Sequence, residues 1–368
     1  MKNVMGVINV TESPDMFQGL ITNRTLATLP FGGRYCLIDF ILSNMVNSNI
    51  YNVGIFAKNY SRSLMDHIGT ASEWDLNKRQ DRLFILTPHQ TTTDDIGDAG
   101  LLYQHLDYFE RSTQDVVVLA DSSTVSNINF TDAVQFHLDK KADITVMYQS
   151  RDVLKVKPNC TLIDLDANQR VTGMEINPFY RRSKNMSLKI YIISKTLLME
   201  LVDQLVSRGE KHIVMDGIVK NISSLKVYGF DYQGYLACVC SLQSYYHHNM
   251  NLLQPEVWGE LFSKPGLIYT KFINAPPANY RNTAKVKNSI VANGCVIEGH
   301  IENCVIFPDV KVEAGAYVKD SLIMHRSVLK TGCHLQNVIL DKEVTVTENK
   351  HLVGDWNYPL VVEKKVSL

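Results

Sequence analysis

The chain has 368 residues, 45% apolar and 20% charged, and its 37 Lys+Arg against 38 Asp+Glu leave a net charge of -1. That length allows two or three domains and an ample core. The near-neutral balance, with no long charge run, excludes nucleic acid and an anionic membrane surface as expected partners.

The first ten residues show no apolar core segment followed by a small-residue cleavage site, so no signal peptide is expected. No stretch approaches the roughly 18 uninterrupted apolar residues of a spanning helix. Seven scattered cysteines suit free thiols in a reducing compartment, and a cytoplasmic location is expected.

Up to about Leu253 the chain alternates strand and helix patterns. In Leu37 to Asn47 the residues Leu37, Ile38, Ile41, Leu42, Met45 and Val46 form one apolar stripe, which predicts a helix. Asn52 to Ala57 reads as a short strand. Tyr103, Tyr108 and Phe109 lie on a helical pattern and are assigned to the core. Asp115 to Ala120 and Ile144 to Tyr148 read as buried parallel strands, being β-branched runs between polar residues. Leu197 to Val206 predicts a second amphipathic helix, with Ser194 as its cap. Such alternation argues for an open, mostly parallel sheet, with ligands beyond the carboxyl ends of its strands. Four prolines between residues 254 and 280, including the pair Pro276-Pro277, predict an extended connection.

Beyond Asn282 the helical period disappears. Apolar residues recur every five to six positions at Ile290, Val296, Ile301, Ile306, Val312, Val318, Ile323 and Val328, with turn residues such as Gly294, Gly315 and Gly332 between them. This period predicts a β-helix with three short faces per coil and about four coils, each of these apolar residues pointing inward. Cys295, Cys304 and Cys333 fit its small interior or corner positions. The domain reading is therefore residues 1–253, a linker at 254–281, and the repeats at 282–368.

Three segments carry a family resemblance. Leu29-Pro-Phe-Gly-Gly-Arg-Tyr-Cys-Leu-Ile-Asp-Phe40, continuing through Ser43-Asn44, resembles the signature of bacterial glucose-1-phosphate adenylyltransferases. Ser244-Tyr-Tyr-His-His-Asn-Met250 is similar to the helix that closes their catalytic domain, and the β-helix follows as it does there. The resemblance spans essentially the whole chain and points to the GlgD-type branch. It implies a Rossmann-like, GT-A-like nucleotidyltransferase domain with a mixed sheet, followed by a left-handed parallel β-helix of hexapeptide repeats.

The family joins ATP and glucose 1-phosphate into ADP-glucose and pyrophosphate. That chemistry needs close backbone N–H groups and a cation for the triphosphate, and Mg²⁺ held by carboxylates for the developing charge. The residues at the matching positions depart from this. The Gly-rich loop falls on Met5 to Gly19, where only Gly6 and Gly19 occur, Glu12 and Asp15 add negative charge, and no Arg precedes Arg24. The Lys-Pro pair falls on Leu26-Ala27, the sugar-phosphate Lys on Asn177, and the second metal Asp on Cys238, a thiol that suits Mg²⁺ poorly. Asp121 keeps the first metal carboxylate, with a turn-capping role as the alternative. Ser187 keeps a substrate hydroxyl, with Lys189 where a Gly would follow. Gly32 and Gly33 either contact substrate or form a tight turn before the helix.

Other features have plainer readings. Cys238 and Cys240 are read as buried free thiols, His247 and His248 as helix-surface residues, and Arg181, Arg182 and Lys184 as a solvated loop. The resemblance thus implies a subunit that is inactive or weak alone and does not hold Mg²⁺ tightly. Its expected partner is a catalytic paralogue, in a hetero-oligomer of tetramer size, and ATP or a sugar phosphate remains a possible ligand. Two alternatives stand: an active nucleotidyltransferase with an altered loop, and a hexapeptide-repeat acyltransferase using His300, His325, His334 or His351 as base.

Overall fold

The structure is a computed structural model and describes residues 3–10, 16–17, 19–58, 61–78, 82–89, 96–150, 160–179, 183–263 and 265–368. Glu12, Asp15, Arg181 and Arg182, named above, lie outside these residues.

In chain order the elements begin with β1 (Val4–Val10), the hairpin of β2 (Pro30–Phe31) and β3 (Tyr35–Cys36), α1 (Leu37–Asn47), β4 (Val53–Ala57), α2 (Ser61–Ile68) and β5 (Leu83–Leu86). There follow α3 (Gly97–Tyr103), α4 (Leu106–Arg111), β6 (Val116–Asp121), β7 (Thr124–Ser126), α5 (Thr131–Asp139) and β8 (Ile144–Ser150). Then come β9 (Thr161–Leu165), β10 (Val171–Ile176), β11 (Asn185–Ser194), α6 (Lys195–Ser207), a π-helical turn (Ile213–Val219) and β12 (Val227–Asp231). β13 (Leu236–Cys238), α7 (Leu242–Asn251) and α8 (Pro255–Ser263) precede the repeats.

The chain forms two compact units. One comprises Met1–Glu12, Phe40–Cys238 and Pro265–Tyr269, the other Ser13–Asp39, Val239–Lys264 and Thr270–Leu368.

The first unit is built on a nine-stranded mixed sheet in the order β10-β9-β11-β6-β1-β4-β5, with β8 beside β11 and β12 beside β8. β6, β1, β4 and β5 run parallel, as their alternation with helices predicts. β9, β10 and β11 pair antiparallel, because a five-residue link at 166–170 joins β9 to β10 and leaves no room for a crossover. Antiparallel pairing is therefore more extensive than a mostly parallel sheet would have. β6 and β11 are lined by Val117, Leu119, Tyr191 and Ile193, which pack with Leu198, Leu201, Val202 and Leu205 of α6 in one core. Each such fully buried aliphatic side chain contributes about 1.5–3 kcal/mol. The Ser194 hydroxyl caps α6 by accepting the Leu197 N–H at 3.3 Å. Tyr108 and Phe109 are buried, but Tyr103 is exposed, because it lies at the last turn of the short α3, past the face that Leu101 and Leu102 bury.

The second unit contains the repeats, which form three parallel sheets of five strands each, the arrangement of a left-handed β-helix. Five rungs replace the expected four, because the first rung begins at Asn279–Tyr280, inside the predicted linker. That linker also holds α8, which starts on Pro255. Proline suits the first helical position, where its missing N–H costs nothing. Ile301, Val318 and Leu335 stack one above another at 17-residue intervals, as do Ile306, Ile323 and Leu340, and all are buried. At three positions the inward residue is one later than the period suggested: Val291, Ile297 and Leu329 pack on the interior in place of Ile290, Val296 and Val328. Ile297 and Leu329 are buried while Val296 and Val328 are half-buried. Successive strand residues face opposite sides, and in these two-residue strands both are apolar. One corner is fixed by Asn288, Asn303, Asp320 and Asn337, all at positive φ, a conformation that Asn and Asp tolerate. The Asn288 amide donates to Asn303 Oδ1 at 2.8 Å and the Asn303 amide to Asp320 Oδ1 at 3.1 Å, linking successive rungs. Cys295, Cys304 and Cys333 are interior, and burial pushes the Cys304 thiol up to about 12.

Candidate functional site

In the first unit a cleft of about 210 Å³ opens beyond the carboxyl ends of the parallel strands β1 and β6, where ligands of open α/β sheets bind. Asn9 and Asp121, paired in register near the ends of those strands, line it with Asp98, Lys189, Tyr191 and His212.

Asp121 is the last residue of β6, and its Oδ1 accepts the Ser123 N–H at 2.6 Å. The turn-capping role is therefore real, and one oxygen is committed to it. Its Oδ2 faces the Lys189 ammonium at 3.9 Å, with the two side chains 29% and 35% exposed. A pair this open is worth less than about 1 kcal/mol.

Lys189 reaches this position from a bulge. The register of β11 against β8 shifts between Ser187 and Tyr191, and Lys189 itself has φ +57. That left-handed backbone costs a side-chain-bearing residue about 1–2 kcal/mol. The Lys189 N–H donates to Ser187 Oγ at 3.1 Å. Ser187 is fully buried, so its hydroxyl serves the bulge. Burial pushes the neighbouring Tyr191 phenol up to about 12, so it stays a neutral donor.

Asp98, which composition and spacing did not single out, organises the other wall. Its Oδ1 accepts the N–H groups of Ala99 and Ile213 at 3.0 and 3.1 Å, and its Oδ2 accepts the Asn9 amide at 3.3 Å. It thereby joins the start of α3, the start of the π-helical turn and β1. An acidic residue at the head of an apolar helical run was the available signal. His212 Nδ1 lies 3.7 Å from Asp98 Oδ1.

The remaining sequence-predicted residues are placed as follows. Asn177 is exposed just after β10, at φ +51, with its N–H donated to Cys160 O at 2.9 Å; its neighbour Ile176 lines the cleft. Cys238 pairs with Thr124 across β13 and β7, three residues on from Asp121. Cys238 and Cys240 are half-buried, not buried, since both lie where β13 runs out into the start of α7. Gly6 is not part of a loop: it pairs with Val53 and Val118 inside β1, and a Cβ there would lie 3.0 Å from Met45 Sδ.

Leu26, Gly32 and Gly33 belong to the second unit. Leu26 is buried in a short 3₁₀ turn. Gly32 and Gly33 form the turn between β2 and β3, with φ +62 and +78. The Gly32 N–H donates to Asn249 Oδ1 at 2.9 Å, and a Cβ on Gly33 would lie 2.9 Å from Ile290 Cγ2. On the β-helix exterior His300, Tyr317, His334 and His351 occupy one position in four successive rungs, with ring centroids 4.9, 5.0 and 5.5 Å apart. His325 packs on Phe307.

A larger cavity of about 550 Å³ borders the edge strand β5 in the first unit, with Asn52, Arg82 and Gln114 ahead of the parallel strands. It lies at the amino side of those strands, so the smaller cleft is the better site by topology.

The cleft's donor set does not fit a divalent metal. Mg²⁺ takes oxygen ligands in near-octahedral geometry. Here one Asp121 oxygen holds a backbone N–H, the other faces an ammonium, and the nearby β13 offers a thiol.

Comparison with known proteins places the chain in a family. Residues 20–254 match the nucleotidyl transferase family, and residues 270–356 match the GlmU-like C-terminal hexapeptide family. The chain is 38% identical to the glycogen biosynthesis protein GlgD of Bacillus subtilis, over 98% of this chain and 96% of that protein. It is 36% identical to the GlgD of Geobacillus stearothermophilus, over 86% of this chain and 82% of that one. Against the glucose-1-phosphate adenylyltransferase of Fervidobacterium nodosum the identity is 29%, over 95% and 84% of the two chains. Among the described residues no helix is long and apolar enough to cross a membrane.

Proposed function

The chain belongs to the nucleotidyl transferase family and, within it, to the GlgD glycogen biosynthesis proteins, and from that membership we propose that it serves glycogen synthesis as a regulatory subunit. It assembles with a catalytic glucose-1-phosphate adenylyltransferase paralogue in a hetero-oligomer and tunes the partner's conversion of ATP and glucose 1-phosphate into ADP-glucose and pyrophosphate. By itself it is inactive or weak.

The observation that carries this reading is the condition of Asp121. Its two oxygens are taken up by the Ser123 N–H and faced by Lys189, so the carboxylate is not poised to hold a metal against a triphosphate. Asn177 and Cys238 weaken the same chemistry at two other segments. Phosphoryl and nucleotidyl transfer rest on positioning and charge stabilisation, so losses at separate charged positions compound.

The test is coexpression with the catalytic paralogue. Co-elution on size exclusion, together with a changed kcat or effector response of the partner, is the expected result. The purified chain alone, given ATP, glucose 1-phosphate and Mg²⁺, releases pyrophosphate at the blank rate or close to it. No co-elution and no kinetic change would sink the regulatory role. Turnover by the isolated chain at an ordinary enzyme rate would establish an active nucleotidyltransferase instead.

A further inference from the structure

β11 runs antiparallel to β6 up to Ile190 opposite Ala120, and just past that register the Lys189 ammonium lies 3.9 Å from Asp121 Oδ2. Opposite charges at this distance attract. Three features make this more than a surface pair. Lys189 keeps a positive φ, where glycine would sit without strain. The conformation is pinned by its own N–H on the buried Ser187 hydroxyl. The second carboxylate of the cleft, Asp98, is already engaged by two backbone N–H groups and the Asn9 amide.

We propose that the Lys189 ammonium is a built-in cation that takes the place of a divalent metal at Asp121. The cleft then keeps its charge balance without metal, and a dication approaching Asp121 meets a tethered positive charge. This inference rests on the reading of Asp121 as the family's metal carboxylate and specifies how that carboxylate was retired. It concerns metal binding to the isolated full-length chain, so it is separable from assembly and from turnover.

Mn²⁺ serves as the probe, titrated into the purified chain with free Mn²⁺ read by electron paramagnetic resonance. Two comparisons are made, wild type against Lys189→Gly, and Cys238→Asp against Cys238→Asp/Lys189→Gly. In each, removal of the ammonium is expected to tighten Mn²⁺ binding at least about tenfold, and adding Asp121→Asn is expected to abolish the gain. Lys189→Arg keeps the charge and binds as weakly as wild type, whereas Lys189→Gln retains the side-chain bulk and behaves like Lys189→Gly. Circular dichroism melting checks that each variant is folded, and Lys189→Gln stands in should Lys189→Gly fail to fold. Equal Mn²⁺ affinity with and without Lys189, or a gain that survives Asp121→Asn, overturns the proposal. A wild-type chain that binds Mn²⁺ through Asp121 yet releases no pyrophosphate would overturn the built-in cation and leave the regulatory reading standing.

Discussion

Arg24 and Asp341 form a buried ion pair inside the second unit. One guanidinium nitrogen of Arg24 donates to both carboxylate oxygens at 2.6 and 2.7 Å, and the side chains are 7% and 2% exposed. Arg24→Met removes the cation and leaves the Asp341 carboxylate in the interior. Its remaining named donor is the Lys342 N–H, at 2.7 Å from Oδ1. Breaking one side of a buried pair costs about 3–5 kcal/mol. Lys342 moderates this. Burial chiefly, and Arg24 as well, hold its ammonium below its usual range, so losing Arg24 lets Lys342 carry charge more readily beside Asp341. The lower end, about 3 kcal/mol, is therefore expected, a fall in Tm on the order of 6–12 °C for a cooperative unit of this size. Denaturant unfolding followed by tryptophan fluorescence is suitable, since Trp258 and Trp356 both lie in this unit. Arg24→Met/Asp341→Leu, which removes both charges, should recover most of the loss, because an apolar replacement of the whole pair leaves nothing uncompensated. A loss under about 0.5 kcal/mol for Arg24→Met, or a double variant worse than the sum of the singles, would refute the reasoning.

Gly33→Ala is expected to destabilise the second unit by about 1–3 kcal/mol through its φ of +78 and the 2.9 Å approach to Ile290 Cγ2. Adding Ile290→Ala should relieve the crowding but not the backbone strain, and thermal melting of both variants checks this. Ser194→Ala should cost about 0.5–2 kcal/mol by leaving the Leu197 N–H without its cap, measurable by denaturant titration. His137 gives a pH dependence. Burial holds its pKa below 6.5, with Asp143 opposing. Below pH about 6.5 the unfolded chain takes a proton that the folded His137 refuses, so stability falls as pH drops from there to the folded value and then levels off. His137→Gln should flatten that acid limb in urea midpoints measured across pH 5 to 7, and an unchanged limb would count against it.

Much of the architecture was legible because it rests on local rules. The five-to-six-residue period specified the β-helix, and the β-branched runs specified β6 and β8. What was hidden depends on which of two equivalent choices the fold makes. In Val296-Ile297 and Val328-Leu329 both residues are apolar, and only the corner conformation decides that the second turns inward. The antiparallel part of the sheet follows from a short link, and a length alone does not reveal that it joins adjacent strands. Lys189 was visible only as a departure from a glycine. That it faces Asp121 requires the bulge in β11, which no spacing in the sequence encodes.

The segment that carries the family resemblance most strongly is explained by packing within the second unit. Pro30 O accepts the buried Tyr245 hydroxyl, the Gly32 N–H donates to Asn249, and Gly33 leaves room for Ile290. Asp39 accepts the Cys36 N–H at 2.8 Å and the Thr270 hydroxyl at 2.5 Å, closing the start of α1. Apart from the Asp39–Cys36 contact inside the signature, these contacts join it to the closing helix, to Thr270 ahead of the first rung, or to Ile290 of the β-helix, and none requires a nucleotide. A loss of the chemistry would therefore place no strain on the signature, and its presence says that the scaffold folds in the family's way without saying that the chain turns over substrate. The positions at or beside the cleft are under the opposite constraint. Lys189, which lines the cleft, and Asn177, next to the lining residue Ile176, contribute little to the core, being half-buried and exposed, so they are free to differ, while Asp121 keeps its carboxylate facing Lys189. A division in which core-facing signature residues keep their family identity while cleft-facing charges are neutralised or exchanged is the pattern expected when a subunit retains assembly and gives up catalysis. Asp121→Asn in the assembled complex probes that division directly. Full activity of the hetero-oligomer is expected, read as kcat and KM for glucose 1-phosphate, and a large fall in kcat without loss of assembly would place the chemistry in this subunit after all.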